Sequence, residues 1–353
     1  MKHFKFYEKK DILHYTKVRK FETKLGERVN VLEDHTNLEL SLQKSPAKFV
    51  VFGISEDIGV KANYGVGGTS TAWHPFMTSF LNTQSNDFLD GNEILFLGNF
   101  DFSEVERLIE ANAHDEEERL EAYRHAVNMI DVEVEQLIHI ITQNKKLPIV
   151  IGGGQNNAYP CIKGAAKGWN KAGVIEFPQI NAVNLDAHAD YRPLEGRHSG
   201  NAFHYADEDG YLEKYFVVGL HENYLPQSTW IEFVNNPFTD CVTYEDIFVH
   251  EKQDFMQAIA TAVTFTEDTL TGIEIDLDCV QNTLSSAMSP VGVTPNQARQ
   301  YISLCASDSM PAYLHICEGA TEMQNGQKDI TTGKLISYLV SDFIKGVLAG
   351  IAD

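Results

Sequence analysis

The chain has 353 residues, 43% of them hydrophobic, and a formal net charge of −22 from 28 basic and 50 acidic side chains. That charge repels nucleic acid and anionic membrane surfaces, so neither is expected as a partner, and it serves solubility. The five cysteines form no CxxC pair, the N-terminus has no signal-like apolar stretch, and no apolar run approaches the roughly 20 residues that span a bilayer; a reduced, cytoplasmic protein is expected.

In chain order, residues 1–45 are polar and mixed and read as a peripheral extension, with a single domain over 46–353. Short apolar, β-branched runs then recur at 48–54, 93–100, 147–154, 180–188, 215–220, 271–278 and 312–319. Their near-continuous hydrophobicity predicts strands buried on both faces, as in a parallel sheet. Between them lie helical patterns. The clearest follows "HDEEER", with Leu120, Val127, Ile130, Val134, Leu137, Ile138 and Ile141 on one stripe. Its acidic start and the closing Lys145 and Lys146 suit the helix dipole. A second helix is predicted from Thr332 to Leu348. This alternation, without internal repeats, predicts a three-layer α/β/α fold around a doubly wound, mainly parallel sheet.

Ligands of such folds bind beyond the carboxyl ends of the strands. The polar residues of interest cluster there: Gly152–Asn157, then Asp186, His188 and Asp190 in "NLDAHADYR", then Asp276 and Asp278 in "EIDLD", then Glu318. Residues two apart on a strand face the same way, so each set can aim at one point. Four carboxylates brought together repel unless cations intervene. Mixed carboxylate and imidazole ligands suit Mn(II) or a similar ion, and a pair of such ions lowers the pKa of a shared water. A DxHxD or DxD alone is also common in solvated loops; both at the ends of buried strands point to one metal site.

"GGGQNN", "NLDAHADYR…HSGN", "EIDLD" and "EGA", in this order, resemble the arginase–agmatinase–formimidoylglutamase family, the ureohydrolases, over roughly residues 48 to 345. The segment 53–75 looks like the family's N-terminal part, which carries a loop near the active site. The resemblance implies two Mn(II) ions. Asp186 and Asp276 would bridge them, His188 and Asp278 would complete one, and Asp190 would serve the other with a histidine. Gln155 occupies that histidine's position. A neutral amide donates less strongly than imidazole, so the second site is expected to be weak or absent. The resemblance further implies trimers or hexamers.

On the substrate side, Glu318 matches the family glutamate that pairs with the substrate's N–H groups, and with Asp190 it is the expected catalytic carboxylate. Ser199 and Asn201 fall where the family binds the amino-acid end of its substrate. Arg192 stands two residues after the last aspartate, as in the formimidoylglutamase branch, and suits a substrate carboxylate. A plain pairing with Asp190 or Glu195 is the alternative. The expected reaction is hydrolysis of a linear amidine, N-formimidoyl-L-glutamate to glutamate and formamide. The alternatives are a guanidino-compound hydrolase, or a metal-poor, non-catalytic relative. His204 lies one residue beyond the family's proton-shuttling position, which aligns with Phe203. His74, His198 and His221 are other candidates for that role, as is none of them. Lys61 and Asn63 are candidate pocket residues, and Cys279 is expected to be a buried thiol.

Overall fold

The computed structural model describes residues 1–350. Nine strands form one sheet: β1 Phe4–Phe6, β2 Phe49–Ser55, β3 Ile94–Asp101, β4 Leu147–Ile151, β5 Ile180–Leu185, β6 Leu212–Leu220, β7 Thr239–Thr243, β8 Thr271–Asp276 and β9 Pro311–Cys317. Their order is β1-β3-β2-β4-β9-β8-β5-β6-β7. All pairings are parallel except β1 with β3.

The inner strands are sealed by helices on both faces, which is why they read as unbroken apolar runs. Every residue of β4, β5 and β8 is buried. On one side the helices Trp73–Phe80, Pro295–Asp308 and Thr332–Gly350 pack together; on the other, Glu116–Gln143 lies against Ala158–Lys171. Each fully buried Val, Leu, Ile or Phe side chain contributes about 1.5–3 kcal/mol relative to exposure.

The long helix begins where its sequence dictates. Asp115 accepts the Glu118 N–H (2.8 Å), three glutamates fill the first turn, and Val127, Ile130, Val134, Leu137, Ile138 and Ile141 are buried. It ends at Gln143, before the two lysines. Lys145 adopts φ +58°, and Lys146 is buried with Nζ on the carbonyls of Ser45 (2.8 Å) and Ala47 (2.6 Å). Lys146 therefore ties two connections together, a role its dipole position did not suggest.

The N-terminal segment is more than a peripheral extension. β1 extends the sheet at one edge, and Tyr7, Ile12, Leu25, Val29 and Leu42 join the main core. No helix of the described residues is long and apolar enough to cross a membrane.

What the fold gives the site is adjacency. β4, β9, β8 and β5 are consecutive, parallel neighbours in the middle of the sheet, so their carboxyl ends converge on one point.

Candidate active site

Two aspartates are set by the same local device. Asp186 Oδ1, at the end of β5, accepts the N–H of His188 at 2.7 Å, and Asp276 Oδ1, at the end of β8, accepts that of Asp278 at 2.8 Å. The side chain of each DxH or DxD pair thus turns its own chain, an Asx-type turn that fixes the carboxylate without a neighbour's help. Asp186 Oδ2 also accepts from Asn184 Nδ2 at 2.8 Å.

These turns assemble two ligand groups. Asp186, His188 and Asp278 form one, and Asp186, Asp190 and Asp276 the other, with donor atoms within 4.8 Å of one another in each. Asp186 is common to both. Five of the predicted ligands therefore meet, and one carboxylate stands between the two groups.

The electrostatics shows what the cluster lacks. Burial, reinforced by Asp278, raises Asp186 to about 6. Burial and the neighbouring carboxylates also push Asp190 and Asp276 well above the usual range. Burial works against a charged His188 ring, but the carboxylates of Asp278 and Asp186 outweigh it and raise His188 to about 12. Its Nδ1 lies 3.2 Å from Asp278 Oδ2. The imidazole acts here as the local cation among repelling acids. Asp278 Oδ1, moreover, is buried without a hydrogen-bond partner. Cations satisfy all of this together, and the donor set of carboxylates with one imidazole fits divalent ions of the Mn(II) type.

Glu318 follows β9 directly, with φ +58°, and Asp190 has φ +46°. Left-handed backbone at non-glycine residues costs on the order of 1 kcal/mol or more and persists where surrounding contacts impose it. The turn after β4 imposes it at Glu318: the Glu318 N–H donates to Gly153 O (3.0 Å), and Gly152 and Gly153 have φ +89° and +72°. A side chain would strain those two positions. Glu318 Oε1 accepts the main-chain N–H of Gln155 (2.9 Å), and Oε2 is within reach of Ser286 Oγ (3.4 Å). Burial raises Glu318 to about 8.

Above the cluster opens a cavity of about 600 Å³, lined by His188, Asp190, Asp276, Asp278 and Glu318 at one end. Arg192, Ser199, Asn63 and Tyr224 line the rest, together with Ser228, Thr229 and Ser286. Arg192 is the one arginine or lysine of this lining. Its Nη1 donates to Asn63 Oδ1 (3.1 Å) and its Nη2 lies 3.5 Å from Glu195, so the alternative pairing with Glu195 exists alongside its place in the cavity. Asn63 Nδ2 donates to Ser199 Oγ (3.3 Å), joining Arg192, Asn63 and Ser199 in one polar row.

Two further predicted site residues, Asn201 and Gln155, are not part of this lining. Asn201 is fully buried: Oδ1 accepts from Arg197 Nη1 (3.0 Å) and the His198 N–H (3.1 Å), while Nδ2 donates to Gly196 O (2.8 Å). It braces the loop and does not face the cavity. Gln155 is also fully buried, and its amide is engaged with Cys317 and Glu274.

The spare histidines are likewise accounted for. His198 is held near 4 by burial and by Arg192, and its Nδ1 accepts the Gly200 N–H (3.1 Å). His204 stacks on Tyr191 (centroids 4.4 Å apart), His221 lies against Tyr244 (4.6 Å), and His74 contacts Tyr15 in the N-terminal segment. Of the histidines, His188 alone is in the cavity lining. Lys61 pairs with Glu106 and Glu110 outside it, and Cys279 is a free, buried thiol.

Sequence reasoning missed Asn184, Tyr224 and Ser286. Tyr224 stacks on the His188 ring, with centroids 5.0 Å apart, from the turn after β6. Asn184 was the one with a visible signal, since it lies two residues before Asp186 and so on the same face of β5.

The chain is similar to known proteins across this whole architecture. The formimidoylglutamase of Macrococcus caseolyticus is 26% identical over 295 residues, 82% of either chain. Among solved structures, Trypanosoma cruzi formiminoglutamase with Mn2+ has a TM-score of 0.67 at 17% identity, covering 92% of this chain and 98% of that one. Formimidoylglutamase from Bacillus subtilis has a TM-score of 0.69 at 15% identity, covering 94% of each. At such identities the structures speak for the shared fold. The match that extends from Met77 to Asp342, and so takes in all the ligand-bearing strand ends, is to one family: the chain belongs to the arginase family.

Proposed function

We propose that this protein hydrolyses a C–N bond of a linear amidine that carries a carboxylate, with N-formimidoyl-L-glutamate as substrate and glutamate and formamide as products. The observation that carries the reading is the polarity of the cavity. One end is a cage of buried acids, and Arg192, Asn63 and Ser199 stand along the wall beyond it. A molecule with a cationic amidine at one end and a carboxylate at the other matches that order. The relatives named formimidoylglutamase support it.

Asp186, His188, Asp190, Asp276 and Asp278 would hold two Mn(II) ions, which when bound supply an activated water and relieve the repulsion among these acids. Glu318 presents a carboxylate that accepts two parallel N–H bonds from the planar amidinium. Its Oε1 is kept in place by the Gln155 N–H. Arg192 takes the substrate carboxylate, with Asn63 and Ser199 beside it. Water adds to the amidine carbon, the bond from that carbon to the glutamate nitrogen breaks, and the leaving amine takes up a proton. Asp190, half-buried at the cluster and lining the cavity, is the carboxylate assigned to that proton transfer.

The test is turnover of formimidoylglutamate by Mn(II)-loaded protein, followed as glutamate and formamide. Arginine and guanidinobutyrate serve as competitors, with urea as their product. Faster urea release from a guanidino compound would overturn the substrate assignment. No turnover of either class would overturn the hydrolase reading.

A further inference from the structure

Gln155 is the departure from the family pattern, and the structure gives its amide a different use. Oε1 accepts from Cys317 Sγ (2.6 Å) on β9, and Nε2 donates to Glu274 Oε2 (3.0 Å) on β8. Its main-chain N–H, from the turn after β4, donates to Glu318 Oε1 (2.9 Å). Glu274 is itself fully buried. Its Oε1 accepts from Tyr313 OH (2.7 Å), and its Oε2 is shared by Gln155 and His315 Nδ1 (2.7 Å). One side chain thus locks three neighbouring strand ends beneath the cavity.

We infer that Gln155 is a positioning residue for Glu318 and not a metal ligand. The inference rests on the amidine-hydrolase reading above. The segment before Gln155 is Gly152-Gly153-Gly154, which has no side chains to pack, so its path must be fixed by hydrogen bonds. Glu56 holds it from one side, accepting from the Gly154 N–H (2.9 Å) and Asn157 Nδ2 (2.8 Å). The Gln155 amide holds it from the other. Glu318 has few other restraints, Ser286 Oγ at 3.4 Å being the second polar contact of its carboxylate. Releasing the Gln155 side chain lets its peptide shift, and the Glu318 carboxylate then turns out of the plane that a bidentate contact with an amidinium requires. Misplacement of such a group by about 1 Å costs on the order of 100-fold in rate. A pure ligand role would act through the metal instead.

The experiment compares Gln155→Met, which keeps the volume and removes both polar atoms, with wild type and with the swap Gln155→Glu/Glu274→Gln, which exchanges donor and acceptor across the same contact. Bound Mn(II), its Kd, kcat and KM for formimidoylglutamate, and Tm are measured on the full chain. Positioning predicts that Gln155→Met binds the wild-type amount of Mn(II) with Kd within about twofold, while kcat/KM falls roughly 10- to 100-fold. The swap then recovers much of that loss relative to Gln155→Glu alone. Should Gln155→Met fail to fold, the swap and its single variants carry the same comparison.

Loss of one Mn(II), or a Kd raised more than tenfold, in Gln155→Met would overturn the inference in favour of ligation. A lower Tm with unchanged kcat/KM would overturn it in favour of a merely structural tie. A wild-type chain that turns over no amidine sinks the hydrolase reading and this inference with it, and that failure is visible before any variant is made.

Discussion

Arg197 forks onto Asp131 deep in the protein, Nε to Oδ2 at 2.9 Å and Nη2 to Oδ1 at 3.2 Å, with the two residues only 2% and 5% exposed. The same guanidinium reaches Asn201 Oδ1 (3.0 Å) and Asn156 O (2.8 Å) and lies between the rings of Tyr159 and Tyr205. It therefore pins the loop bearing Ser199 to the turn bearing Gln155. Burial pushes the Asp131 carboxyl up even with Arg197 beside it, so removing the arginine strands a buried acid. Arg197→Met is expected to lower unfolding free energy by about 3–5 kcal/mol in urea titrations. Arg197→Met/Asp131→Leu should recover most of it, and a loss below about 1 kcal/mol for the single variant would contradict the account.

Asp186 is shared by both ligand groups, so its removal should cost both ions. Asp186→Ala is expected to bind little Mn(II) and to lose activity by about a thousandfold or more, the scale of several kcal/mol of barrier. Asp278→Ala damages one group only and should retain one ion. Isothermal titration of metal-stripped variants separates the two outcomes. Equal stoichiometry in both variants would refute the shared position of Asp186.

Metal binding should release protons. Without cations, Asp190 and Asp276 sit well above the usual carboxylate range, Glu318 near 8 and His188 near 12. A carboxylate whose folded pKa is raised binds more protons folded than unfolded, so its contribution to stability falls as pH rises from about 4 towards its folded value. His188 acts in the same direction above about 6.5, since its protonated form is favoured by the fold. Metal-free protein should therefore lose Tm between pH 6 and pH 8, and Mn(II) should raise Tm more at pH 8 than at pH 6. Differential scanning calorimetry at the two values checks this. A metal-induced shift that shrinks with pH would have the wrong sign.

Arg192 should matter for carboxylate-bearing substrates alone. A charge-assisted hydrogen bond is worth about 1.5–3 kcal/mol, less where the group is half exposed, as Arg192 is. Arg192→Met is expected to lower kcat/KM for formimidoylglutamate by roughly tenfold and to leave formamidine, which has no carboxylate, unchanged. Equal losses for both substrates would mean that Arg192 shapes the cavity and contacts no carboxylate.

The inner strands and the metal cluster were legible because both are written locally. A strand sealed on both faces must be apolar throughout, and Asp186–His188 and Asp276–Asp278 build their own turns. The two sheet edges were not. β1 is three residues long, and β7, "TDCVT", is polar at three of its five positions, so neither carries the continuous run that marked the others. The contacts of Asn201 and Gln155 were hidden for different reasons. Position along the chain placed them beside the site, but the Asn201 side chain closes its own loop through Arg197, His198 and Gly196, and the partners of Gln155, Cys317 and Glu274, come from distant strands that no local pattern announces. Tyr224 was hidden likewise, since its stack on His188 depends on the path of the turn after β6.

The central claim is that this acidic cluster is a two-metal amidine-hydrolysing site. The most direct measurement is a titration of metal-stripped wild-type protein with Mn(II), with bound metal and formamide release from formimidoylglutamate followed in the same samples. The account predicts turnover that rises with occupancy and saturates at two ions per chain. Full occupancy without formamide, or formamide release at the same rate from metal-stripped protein, would contradict it.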